Sequence, residues 1–287
     1  MVRFRLRNLA APATSVGETW MRSSKPGCNP TATPLSRSSP DPMEDGIKDR
    51  DSVTSLPDEA GENIGEIRRA VEVLFEPGVV AELRAFKEGK TTSGYFDDFE
   101  KLAEQAAKLD GRGFAVYTTL NPVEPTLLAR ATNRVRPVYR EPTTSDADVA
   151  CRRWLPVDFD PVRPAGVSAT DREKGEARQR AMEVRNYLRG EGWPEPVVSD
   201  SGNGYHLLYR VDLPNDRESL ELVKGVLEAL SFRFSDERVS VDTTTANAAR
   251  IWKLYGTTAR KGDATEGRPH RASGMLKVPG EVDACRP

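Results

Sequence analysis

The chain is poor in the residues that several common chemistries require. Only two histidines occur, His206 and His270, far apart in sequence, which disfavours a centre built on clustered histidines, for metal binding or strand nicking. The three cysteines, Cys28, Cys151 and Cys285, are odd in number and scattered. They supply no zinc set and no disulfide framework, and a reducing, cytoplasmic setting is expected. No apolar run approaches the roughly 20 residues needed to cross a bilayer, and no apolar signal core follows the N-terminal arginines, so a soluble protein without a membrane partner is expected. Net charge is only -2, which means that any nucleic-acid footprint must be local. The sequence also lacks a Gly-x-x-x-x-Gly-Lys-Ser/Thr phosphate loop, which excludes a P-loop motor within it.

What is present divides the chain. Hydrophobic residues make up 37 % and charged residues 30 %, a balance that implies a part without a compact core. Residues 1–63, rich in Pro, Ser, Thr and Gly without sustained period, are read as a disordered segment or an upstream extension, Met43 serving equally well as a start. Residues 64–150 read as a small α/β module. Ile64, Ile67, Val71 and Leu74 recur at helical spacing before Pro77-Gly78. A strand follows from Val79 to Phe86, with Gly89-Lys90 and Ser93-Gly94 as turn signals. A helix from about Asp97 to Leu109 and a strand from Phe114 to Leu120 complete it. Leu127 to Tyr139 carries Arg130, Arg134 and Arg136 with few acids.

The pattern sharpens over residues 151–278, which precede a short tail, 279–287. Arg152 to Pro161 is an apolar run ending in two aspartates. On a strand, Asp158 and Asp160 share one face and Val157 and Phe159 the other. The aspartate Cα atoms then stand roughly 6.7 Å apart, two strand rises, a separation suited to holding hard divalent cations about 4 Å apart. A surface turn before proline would explain the pair as well. Thr170-Asp171-Arg172-Glu173 fits a capping box that opens a helix to about Arg189. Pro196 to Asp200 and Tyr205 to Val211 form a hairpin around Ser201-Gly202-Asn203-Gly204, residues 216–232 form a helix, and Val239 to Asp242 a last strand. The order β-α-β-β-α-β is the split βαβ arrangement of an RRM-like module. The fold class is therefore α/β (α+β). In that arrangement the end of the first strand lies beside His206 and within reach of Asp242, a convergence that a surface turn does not predict.

The turn glycines would let backbone N–H groups approach a phosphate, although Gly-Asn-Gly is also a plain hairpin connector. Between Thr243 and Lys277 seven Lys or Arg face two acids, Asp263 and Glu266. Within this local basic footprint, Arg250 and Lys253 flank Ile251 and Trp252 and are expected to share a polar face. A solvated charged face is the ordinary reading of such a run, but the interleaved Gly, Thr and aromatic residues suit phosphate or nucleic acid better.

Val157-Asp158-Phe159-Asp160, Ser201-Gly202-Asn203-Gly204-Tyr205-His206 and the Asp242 segment resemble, in order and spacing, the three motifs of the archaeo-eukaryotic primase superfamily. The likeness is to the bifunctional primase-polymerase domains of phages and mobile elements. It spans Ile64 to Val278 and takes in Tyr255-Gly256-Thr257 and Arg260-Lys261-Gly262. The resemblance implies a palm-like catalytic module and a DNA primase or polymerase working by two-metal nucleotidyl transfer with Mg²⁺ or Mn²⁺. It implies that Asp158, Asp160 and Asp242 hold the metals and that His206 contacts the phosphates of the incoming NTP or dNTP. Ser201, Gly202, Asn203, Gly204, Arg250 and Lys253 would bind phosphate. Arg130, Arg134, Arg136, Arg260 and Lys261 would follow a single-stranded DNA template. Two departures from relatives stand out: no fused helicase motor, so a separate replicative helicase is expected, and no Cys/His set for a structural zinc. The alternatives are a non-catalytic replication initiator or RNA-binding module on the same sheet, a nicking enzyme, and a nucleotidyl cyclase. Paired carboxylates disfavour the first, scarce histidine the second, and the Arg260-Lys261 segment the third.

Overall fold

Apolar residues at two periods, 3.6 and 2, build alternating helices and strands. The computed structural model describes residues 59–280, with side chains from residue 63; the expectations for residues 1–58, including Met43, and for 281–287 lie outside them. In chain order the elements are α1 (Glu59–Leu74), β1 (Ala81–Lys87), β2 (Lys90–Phe96), α2 (Phe99–Gly111), β3 (Ala115–Thr119), β4 (Arg136–Val138) and β5 (Cys151–Pro161). Then come α3 (Asp171–Gly190), β6 (Val197–Asp200), β7 (Tyr205–Pro214), α4 (Arg217–Phe234), β8 (Val239–Val241), β9 (Ile251–Lys253), β10 (Thr258–Ala259), β11 (Arg271–Ala272) and β12 (Gly274–Lys277). They form two five-stranded sheets, ordered β4-β2-β1-β3-β9 and β12-β6-β7-β5-β8, and a β10-β11 ribbon. Every pairing between these strands is antiparallel.

Strand β5 shows why the site faces where it does. Leu155, Val157 and Phe159 point to one face and pack with Tyr205, Leu207 and Tyr209 of β7 against Ala177, Ala181 and Val184 of α3 and Val226, Leu227 and Leu230 of α4. Alternation turns Trp154, Asp158 and Asp160 to the other face. There Trp154 and Leu208 pack with Ile67, Val71 and Leu74 of α1 and with Trp252 of β9. Trp154 Nε1 also donates to the Leu74 carbonyl at 3.0 Å. The apolar part of this face is thus covered, and its polar end, Asp158 and Asp160, is left half-open. Helix α3 begins with Thr170 and Glu173 capping one another, each side chain accepting the other's N–H, which satisfies two donors that a helix start leaves free.

The N-terminal half departs from expectation in three ways. The first helix begins at Glu59, five residues ahead of Ile64. Ser93-Gly94 is not a turn but the middle of β2; the turn is Glu88-Gly89, both at positive φ, the backbone shape of a tight two-residue hairpin. Gly94 is required because a Cβ there would stand 2.0 Å from the Arg134 carbonyl oxygen. Strand β4 escapes any periodicity because it is three residues long with Pro137 at its centre, as an edge strand tolerates.

Candidate active site

The antiparallel registers bring three distant stretches to one corner. Asp158 pairs with His206 across β5-β7, and His206 with Ser199 across β7-β6. On the other side Phe159 pairs with Val241, and the next residue, Asp242, donates its N–H to the Asp158 carbonyl at 3.0 Å. Asp158, His206 and Asp242 are therefore neighbours on the sheet face opposite α3 and α4.

Each side chain has a defined partner. His206 is 4 % exposed; its Nε2 lies 3.4 Å from Asp158 Oδ1 and its Nδ1 2.8 Å from the Tyr255 hydroxyl. Asp160, 44 % exposed, accepts from Arg163 Nη1 at 2.8 Å and lies 3.9 Å from Lys261 Nζ. Arg163 is nearly buried and anchored by the Pro161 and Val167 carbonyls. Asp242 caps the short turn after β8, accepting from Thr244 N at 2.7 Å, and meets Arg250 Nη2 at 3.1 Å. Among the described residues no three His, Cys, Asp or Glu side chains stand grouped to hold a metal ion. The carboxylates are nonetheless hard oxygen donors, part-exposed and on adjacent positions. In kind they suit a hard divalent cation, which would compete with Arg163 for Asp160 and with Arg250 for Asp242.

Three N–H groups of the expected phosphate cradle are engaged within the turn itself. Within Ser201-Gly202-Asn203-Gly204 the Ser201 N–H donates to the Gly204 carbonyl, the Gly202 N–H to Asp200 Oδ1 at 2.7 Å, and the Gly204 N–H to Ser201 Oγ at 2.9 Å. Asn203 Oδ1 accepts from Ala169 N at 2.8 Å. The glycines serve packing. A Cβ on Gly202, at φ +90°, would lie 2.4 Å from Ala259 Cβ, and one on Gly204 would lie 2.1 Å from the Phe159 carbonyl oxygen.

Lys253 is turned away from the corner. On an extended chain residues three apart face opposite sides, so Arg250 and Lys253 do not share a polar face. Lys253 is buried beside Tyr117, donating to the Thr258 carbonyl at 2.8 Å and the Val116 carbonyl at 3.4 Å. Burial lowers its pKa to about 7, with nearby Arg260 acting the same way and Asp110 opposing. An unfolded lysine keeps its proton to about pH 10.4. Between these values the unfolded chain binds a proton that the folded chain has released, so stability increases with pH through that window. Denaturant unfolding from pH 7 to 9 is expected to show a rise on the order of 1 kcal/mol per unit, flattened in Lys253→Met.

Arg260 is an internal tie. Its guanidinium pairs with Asp110 at the end of α2 and donates to the Phe114 carbonyl at 3.1 Å and the Asp110 carbonyl at 3.0 Å. Asp110 also accepts from Thr258 N and Oγ1. Arg260→Ala is expected to lower the unfolding free energy by ~2 kcal/mol, whereas Lys261→Ala, half-exposed at Asp160, should stay within ~0.5 kcal/mol. Thermal unfolding of the two variants side by side checks this.

Arg130, Arg134 and Arg136 lie elsewhere. Arg136 is on β4, the sheet edge opposite β9, roughly 19 Å away at 4.8 Å per strand. It pairs with Glu141 at 2.8 Å, and Arg130 Nη1 lies 3.4 Å from the Tyr95 hydroxyl. They are not gathered with the carboxylates. Conversely, Arg163 was not singled out in the sequence, although a basic residue three positions after Asp160 was visible.

No family model matches the chain, and no curated protein matches it. Among solved structures it is similar to the crystal structure of primase RepB', at 13 % identity and a TM-score of 0.42, the match covering 78 % of this chain and 58 % of that one. The chain thus spans little over half the length of that protein.

Proposed function

We propose that the corner at Asp158, Asp160, His206 and Asp242 carries out template-directed nucleotidyl transfer, as a DNA primase or primase-polymerase on a palm-like split βαβ sheet. The single observation that supports the reading is the register, which sets Asp158 opposite His206 and against Asp242, with Arg163, Arg250 and Lys261 alongside. Asp158, Asp160 and Asp242 would hold Mg²⁺ or Mn²⁺, whose chemistry is to lower the pKa of an attacking 3′-hydroxyl and offset the charge on departing pyrophosphate. His206 offers Nε2 to a phosphate oxygen. Arg250 and Lys261, released from their carboxylates, balance triphosphate charge. The new bond joins the 3′-oxygen to the α-phosphorus, and the bond from that phosphorus to pyrophosphate breaks. The substrates in this reading are NTPs or dNTPs, the template is single-stranded DNA, and unwinding is left to a separate helicase.

A second reading, a non-catalytic replication initiator, draws on the ion pairs that hold Asp160 and Asp242. A gel assay on single-stranded DNA separates the two. Labelled NTPs and dNTPs are supplied separately with Mg²⁺ or Mn²⁺, with and without a primer. Template-dependent product is expected; DNA binding without product would favour the initiator.

A further inference from the structure

His206 leaves β7 beneath β9, where aromatic and polar groups close around it. Its Nδ1 is 2.8 Å from the Tyr255 hydroxyl, and its ring centroid is 4.2 Å from that of Trp252. Trp252 Nε1 donates to the same hydroxyl at 2.8 Å. An indole N–H can only donate, whereas a phenol has one proton and can also accept. The Tyr255 oxygen therefore accepts from Trp252 and keeps its own proton to give, to Nδ1 or to the Ser199 hydroxyl beside it. The Asp158 carboxylate on the other side of the ring can only accept, which favours a proton on Nε2 and leaves Nδ1 to take the one from Tyr255. Tyr255 is fully buried, and burial raises its pKa, so the phenol keeps that proton. A neutral imidazole whose Nδ1 accepts carries its proton on Nε2, the nitrogen facing Asp158 Oδ1 at 3.4 Å.

We propose that Tyr255 is a positioning residue, its hydroxyl fixed by Trp252 and holding the His206 ring with Nε2–H directed to the carboxylate face. Without that hydroxyl the two ring nitrogens are no longer distinguished by a fixed partner on the Nδ1 side. The Trp252 ring restricts the imidazole's tilt, and the hydroxyl restricts its flip and its tautomer. Tyr255 lies behind the histidine rather than at the surface, so it acts through His206. The ring geometry stands by itself; only its use in phosphate contact rests on the function proposed above.

The test uses the full chain, ¹⁵N-labelled, with His270→Gln so that His206 is the sole histidine. Long-range ¹H–¹⁵N correlation at about pH 8, above the ordinary imidazole range, is expected to show Nδ1 well downfield of Nε2, the pattern of an Nε2-protonated ring. Tyr255→Phe, with its circular dichroism unchanged, should draw the two shifts together as both tautomers populate. A proton on Nδ1 in the Tyr255-containing protein, or an unaltered pattern in folded Tyr255→Phe, overturns the inference. If Tyr255→Phe does not fold, the Tyr255-containing spectrum decides by itself. Strand synthesis measured in parallel keeps the two ideas apart: an Nε2-protonated ring in a protein that makes no product supports the positioning role and removes the proposed function.

Discussion

Replacing Asp158 and Asp160 together by alanine is expected to abolish templated strand synthesis, a loss of ~10³-fold or more, in a protein that still folds. The two effects separate because the carboxylates are placed by the strand and not the strand by them. Val157 and Phe159 hold β5 from the opposite face, both fully buried. Asp160 is 44 % exposed, and its loss leaves Arg163 with two carbonyl partners, at 2.9 and 3.1 Å. Loss of Asp158 frees one nitrogen of His206 while Tyr255 keeps the other. A stability cost of about 1–2 kcal/mol is expected from the broken contacts, with the apolar cores on both faces of the sheet left intact. Unchanged synthesis by the folded double variant would remove these residues from the chemistry, whatever the rest of the corner does.

The second large effect is structural. Gly204→Ala is expected to destabilise the fold by ~3 kcal/mol or more, because its Cβ would stand 2.1 Å from the Phe159 carbonyl oxygen and backbone cannot move aside cheaply. Gly204 immediately precedes β7, so the displacement falls on the pairing that aligns Asp158 with His206. Stability and activity should therefore fall together. Gly175→Ala is the matched control: it lies in α3 with nothing within 4 Å of the added carbon. That substitution is expected to stabilise by up to ~1 kcal/mol, since alanine has less backbone freedom to lose than glycine. Equal behaviour of the two variants in denaturant titration would contradict the packing role given to Gly204.

These residues also show what a sequence can carry. The two faces of β5 were legible because alternation is a property of any strand, and Leu155, Val157 and Phe159 obey it strictly. The α3 start was legible because a capping box is local. The meeting of Asp158 with His206 followed from element order, since only a few antiparallel arrangements of β-α-β-β-α-β bury both helices on one face. Where the structure gives a residue a partner the sequence did not suggest, the cause is common, a residue type with two uses. Glycine at 202 and 204 admits either a phosphate or a neighbouring backbone, and both leave the same letter. Lysine at 253 belongs equally to a basic surface or to a buried pair of carbonyls. Arg260 is basic whether it meets DNA or Asp110, 150 residues away, and no local pattern reports a partner at that distance. Arg163 was missed for a different reason: the loop after Pro161 has no period to place it on a face.

The proposed function requires that the two carboxylates of β5 and that of Asp242, just past β8, act as a single cation-dependent site beside His206. Mn²⁺ titration of ¹⁵N-labelled protein with a nucleoside triphosphate present tests this most directly, because the ion broadens resonances nearest to it. The amides of Asp158, Asp160 and Asp242 and the ring of His206 are expected to broaden first and together, and to be spared in the Asp158→Ala, Asp160→Ala double variant. Broadening centred elsewhere, or identical in the double variant, would contradict the claim.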